Sequence, residues 1–151
     1  HVGRRAVRLL RSAAIHAGWR DPVRWSRWYA VGEAHNAIDF DEALGPSFTG
    51  PATVLPETFY AYAECNAPAR QSALLRMRTR AGAKVFVNGV QCHDRAARDE
   101  DTGAPEDVVP ITLKQGKNSI LVKLTRRRCP AHLTLELSSA TRDPLILTWW
   151  R

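Results

Sequence analysis

The sequence predicts an all-β sandwich or jelly roll, with a short helical arm and an extended connector in front of it. Three observations predict this. Leu75-Arg76-Met77-Arg78 alternates apolar and basic residues, the pattern of a half-buried strand with one wet face. Residues 83–89 alternate again and end in Asn88-Gly89, a strong hairpin signal. Further short alternating segments follow, each closed by turn residues, a spacing typical of two packed sheets.

The elements are expected in the following order. Val2, Ala6, Leu9, Leu10, Ala13 and Ala17 recur at spacings of three and four, which predicts an amphipathic helix over residues 2–17, stopped at Gly18. Such a helix lies over a domain with its arginines in water, or sits on a membrane or partner. Trp19, Trp25 and Trp28 then stand among three arginines, Arg20, Arg24 and Arg27. This segment is either a stacking surface for nucleic acid or a set of aromatic anchors packed under arginine planes. From residue 30 to 56 turn residues dominate, predicting an extended connector with at most one short strand near residues 37–40.

Strands follow over residues 58–65, 72–80 and 83–89, with Val90-Gln91-Cys92 as the hairpin return. Residues 93–107 are polar and turn-rich, and are expected to form a loop. Residues 108–113 read as a strand whose Pro110 marks an edge or bulge. Gly116 and Asn118 make a turn before a strand at 119–125, residues 126–130 form a basic turn, and 132–137 alternate as the next strand. Residues 145–150 read as a last strand or as a lead into a further segment. The expected division is therefore an arm and connector over residues 1–55 and the sandwich over 56–151.

Size and composition set the outer bounds. The chain has 151 residues, with 44% hydrophobic and 25% charged residues, which is ordinary globular usage. No apolar run approaches the roughly 18–20 residues of a membrane helix. Residues 2–17 make a poor signal peptide, because Arg8 and Arg11 interrupt the apolar stretch. The formal charge of +7 divides unevenly: +6 over residues 1–28, −6 over 29–68 and +7 over 69–151. The acidic connector is expected to pair with part of the arginine excess, including the Arg76, Arg78 and Arg80 face. The three cysteines, Cys65, Cys92 and Cys129, are odd in number and widely spaced, which suits neither a disulfide framework nor a zinc site and leaves room for at most one bridge beside a free thiol.

Residues 83–89 carry the pattern V-x-V-N-G. Residues 108–124 continue with a strand, then Leu113-Lys114-Gln115-Gly116-Lys117-Asn118, then the apolar strand of Ile120, Val122 and Leu124. These motifs resemble the galactose-binding-domain-like jelly roll, the non-catalytic β-sandwich attached to many glycoside hydrolases, including β-galactosidase-like and rhamnosidase-like enzymes. The resemblance covers residues 56–139, and the first 55 loosely. Trp28-Tyr29-Ala30-Val31-Gly32 is similar to the W-x-x-x-G-P-F opening of such modules, with Glu33 at the position of the Pro. The resemblance implies an accessory module packed against a catalytic domain of the same polypeptide, with glycans as a further partner.

No phosphate loop, G-x-S-x-G elbow or H-E-x-x-H motif is present, and no catalytic residue is assigned. A sugar site would need hydrogen-bonding groups at a loop end. The loop after the hairpin offers His93, Arg95, Asp99 and Asp101 as candidate ligand-binding residues, without an aromatic. Asp99-x-Asp101-x-Gly103 is a partial calcium ligand set lacking the rest of an EF-hand loop, so no resident cofactor or metal is expected. The alternative is a nucleic-acid-binding domain using the Arg/Trp-rich N-terminal segment. Nucleic acid is otherwise not the expected partner, since the middle block cancels the charge of the first.

Overall fold

The computed structural model describes residues 5–13, 28–31, 37–40, 57–97, 106–126, 132–141, 145 and 147–149. Among the described residues eleven strands run in the order β1 (Arg5–Ala13), β2 (Trp28–Val31), β3 (Ala37–Asp39), β4 (Glu57–Ala67), β5 (Gln71–Arg78), β6 (Gly82–Val87), β7 (Val90–Arg95), β8 (Glu106–Leu113), β9 (Gly116–Arg126), β10 (His132–Ser139) and β11 (Thr148–Trp149). They form two antiparallel sheets. One is seven-stranded, in the order β2-β1-β4-β9-β6-β7, with β11 also on β4; the other is four-stranded, in the order β3-β10-β5-β8. The β-sandwich expected from the alternation is the observed fold.

Alternation accounts for the core. β5 turns Ala73, Leu75 and Met77 inward, β8 turns in Val109, Ile111 and Leu113, and β9 turns in Ile120, Val122 and Leu124. Phe59 from β4 and Val85 from β6 flank the β9 residues on the inner face of the large sheet. Phe40, beyond β3, packs on Phe59 with ring centroids 5.1 Å apart. Each fully buried Leu, Ile or Phe contributes roughly 1.5–3 kcal/mol. Pro110 lies on β8, an edge strand, where a missing backbone donor is tolerated. The short strand expected near residues 37–40 is β3, paired with β10.

Three expectations are corrected. The predicted N-terminal helix is absent: residues 5–13 form β1, laddered to β4 from Arg8↔Tyr62 to Ala13↔Glu57 and to β2 on its other side. Apolar residues fall at both parities of this segment (Ala6 and Leu10, Val7 and Leu9), so its pattern suits a strand as well as a helix. A helix of this length is marginal alone, and the ladder with β4 decides the outcome. The predicted loop over residues 93–107 is shorter at both ends, because β7 continues to Arg95 and β8 starts at Glu106. Arg126, placed in a basic turn, is instead the buried last residue of β9, with its guanidinium 4.9 Å from the Phe59 ring centroid. Residues 14–27, including Trp19 and Trp25, lie outside the described residues, as do Cys129 and the rest of that turn.

The arginine face of β5 is balanced from β8. Arg76 Nη1 lies 2.7 Å from Glu106 Oε1 and Arg78 Nη2 lies 3.3 Å from Oε2, while Arg76 Nε donates to Ser138 Oγ at 3.2 Å. Among the described residues, the acidic block contributes Asp39, 3.0 Å from His132, and Glu64, 3.0 Å from Lys117. The hydrogen bond from Arg76 holds the Glu106 carboxyl below its ordinary range, partly offset by desolvation and reinforced by Arg78. A carboxyl depressed in the folded state protonates first in the unfolded chain. Its contribution is therefore present above the ordinary carboxylate range (about 4.3 for Glu) and is lost as pH falls through the lower folded value. Thermal melting from pH 6 down to pH 2 should show Glu106→Gln losing this acid-limb dependence while wild type retains it.

Candidate functional site

Two polar assemblies brace opposite ends of the sandwich, the second at the end that carries the predicted site. The first starts from the Asn-Gly turn. Asn88 (φ 51°) and Gly89 (φ 79°) both adopt positive φ, as a two-residue hairpin loop with the twist of its strands requires. This conformation turns the Asn88 side chain toward the start of β9. Asn88 Nδ2 donates to Asn118 Oδ1 at 2.9 Å, Ser119 N donates to Asn88 Oδ1 at 2.9 Å, and Asn88 N donates to Ser119 O at 2.9 Å.

Asn118 is fully buried. Its Oδ1 also accepts from Lys114 N at 3.0 Å, and its Nδ2 donates to Lys114 O at 2.9 Å and Gly116 O at 3.0 Å. Every donor and acceptor position of the side-chain amide is filled. Gly116, at φ 89°, bends the chain so that its own carbonyl reaches this amide. The two asparagines of the family-like motif therefore clasp the β6–β7 hairpin to the β8–β9 turn.

The second assembly ties β7 to β8, the edge strands of the two sheets. Arg95 Nη2 donates to Thr79 O at 2.7 Å and to Ala81 O at 3.2 Å, capping the β5–β6 turn. Its Nε lies 2.6 Å from Asp107 Oδ2, and His93 Nε2 lies 3.4 Å from the same oxygen. The Arg95 and Asp107 side chains are each only 10% exposed. Arg95 Nε–H is not aimed along the line to Asp107, so the contact is a charge pair rather than a hydrogen bond. This pair joins the end of β7 to the start of β8 across the edges of the two sheets.

Of the predicted site residues, His93 and Arg95 are brought together, two apart on one strand and facing the same carboxylate. Asp99 and Asp101 lie outside the described residues. The alternation of polar residues did not single out Asp107, because it stands next to Glu106 in an acidic run and only the edge-to-edge packing separates their partners. Chemically, Arg95 and His93 offer donors, and Asp107 holds them in place. No described Ser, Thr or Cys hydroxyl or thiol is paired with a base here. Cys92 turns its thiol to Val85 O at 3.5 Å, and desolvation pushes its pKa up, away from the reactive thiolate.

No family model and no curated protein sequence matches the chain. In fold it is similar to part of the β-glucosidase from Kluyveromyces marxianus. The glucose complex aligns with TM-score 0.65 and 10% identity, over 91% of this chain and 16% of that one. The selenomethionine-labelled enzyme aligns with TM-score 0.65 and 9% identity, over 91% and 17%. An anti-sigma factor domain-containing protein aligns with TM-score 0.61 and 14% identity, over 93% of this chain and 45% of that one. The chain thus spans a small part of the β-glucosidase. These likenesses are of fold, the two-sheet β-sandwich described above.

Proposed function

We propose that this chain is a non-catalytic accessory module of a larger carbohydrate-active protein, packed against a catalytic domain of the same polypeptide. We propose that it contacts glycan through the loop between β7 and β8, using His93, Arg95, Asp99 and Asp101. The observation that carries the reading is the stapled base of that loop. A buried Arg95–Asp107 pair ties the end of β7 to the start of β8, and rigid elements of this kind are what position a binding loop. The similarity in fold to a segment of a β-glucosidase supports the choice of ligand class.

The described arginines favour this reading over nucleic acid. Arg76, Arg78 and Arg126 are engaged by Glu106 and Phe59 within the sandwich. Calorimetric titration with simple galactosides and rhamnosides tests the glycan contact. Saturable heat with at least one is expected, and no heat with any removes the binding part and leaves the packing role.

A further inference from the structure

The outer face of the seven-stranded sheet carries a feature that the loop site does not use. Tyr60 on β4, Lys123 on β9, Lys84 on β6 and Asp94 on β7 are successive cross-strand partners, so they form one row. The adjacent row is Tyr62, Leu121 and Phe86. These residues alternate with the buried ones on their strands and therefore share the outward face.

Lys84 and Lys123 stand directly opposite each other, with Cβ atoms about 5 Å apart, an arrangement that repels. Lys84 has only a loose, exposed contact with Asp94 at 3.9 Å. Lys123 has no ion-pair partner among the described residues. Beside them, Tyr62 is fixed: its hydroxyl donates to Glu64 Oε1 at 2.6 Å, and Lys117 lies 3.0 Å from the same oxygen. Two cations, one unpaired among the described residues and one only loosely paired, thus sit next to an aromatic and aliphatic row whose Tyr62 is held in place.

We propose that this face is a platform for an acidic oligosaccharide, with sugar carboxylates on Lys84 and Lys123 and the C–H faces of the rings on Tyr62, Leu121 and Phe86. The choice of a glycan rests on the carbohydrate reading above; the choice of an anionic one rests on the lysine pair. A protein partner fits less well, because lysine is depleted from the centres of protein interfaces and the apolar row is only three side chains wide. The aromatic rings supply area with little conformational entropy to lose.

Calorimetry of the whole chain with a short oligogalacturonate, a neutral galacto-oligosaccharide of equal length and poly-glutamate tests the proposal. Lys84→Gln and Lys123→Gln serve as variants, with thermal melting as the folding check. The expected result is oligogalacturonate binding that weakens with salt and falls roughly tenfold in each folded variant, the loss of one charged hydrogen bond. Neutral-sugar binding should be unchanged in both. Equal binding of poly-glutamate overturns the glycan assignment. Oligogalacturonate binding that survives both substitutions, or its absence beside neutral-sugar binding, overturns the platform and leaves the loop reading standing. Absence of binding to every sugar overturns both.

Discussion

Asn118→Ala is expected to destabilise this protein by about 3–5 kcal/mol in urea denaturation, a large part of the roughly 5–15 kcal/mol of a typical domain. The amide it removes fills four hydrogen-bonding positions: Lys114 N, Lys114 O, Gly116 O and Asn88 Nδ2. Each group left unsatisfied in a buried setting costs roughly 1–3 kcal/mol, and the total is less than the sum because the turn relaxes. Asn118→Asp is no rescue, since a carboxylate cannot donate to the two carbonyls.

Asn88 gives the control. Asn88→Gly keeps the positive φ but loses the clasp, whereas Asn88→Ala loses both, so the Gly variant should be the more stable of the two. If Asn88→Gly matches wild type, the hairpin needs only its backbone conformation and the clasp contributes little.

Asp107→Ala should have the second large effect, about 3–5 kcal/mol by the usual cost of breaking a buried ion pair from one side. Arg95 would keep its bonds to Thr79 O and Ala81 O, but its guanidinium would stay largely buried without its counter-ion. The double variant Arg95→Met, Asp107→Leu should cost less than the sum of the singles, because removing both charges leaves neither stranded. A double-mutant cycle in urea measures that coupling. Additive effects would show that the two side chains act independently and that the flank is closed by packing alone.

The parts of the fold legible in the sequence were those where one face is wet and the other dry. β5 shows this: Leu75 and Met77 face the core while Arg76 and Arg78 meet Glu106, so the two-residue period was clean. The Asn88-Gly89 turn was legible for a different reason, since both positions need positive φ. β1 was misread because its apolar residues fall at both parities, and only a partner far along the chain, β4, decides between helix and strand.

The site divides in the same way. Arg95 could be picked out as a polar residue after a hairpin, but its partner Asp107 comes from the other sheet. Asn118 was readable as a turn residue; that it sits at the centre of a buried network depends on Asn88, thirty positions earlier in the chain. Lys84 and Lys123 are unremarkable in sequence and become a pair only through the β6–β9 register.

The most direct test of the account is chemical-shift mapping of the isotopically labelled chain during glycan titration. Binding through the presented surfaces predicts saturable shifts confined to backbone amides near His93, Arg95 and Asp107 for neutral sugars. Acidic sugars should add shifts around Lys84, Phe86 and Lys123. A spectrum unmoved by saturating sugar of either kind, or shifts scattered over both sheets, would contradict it.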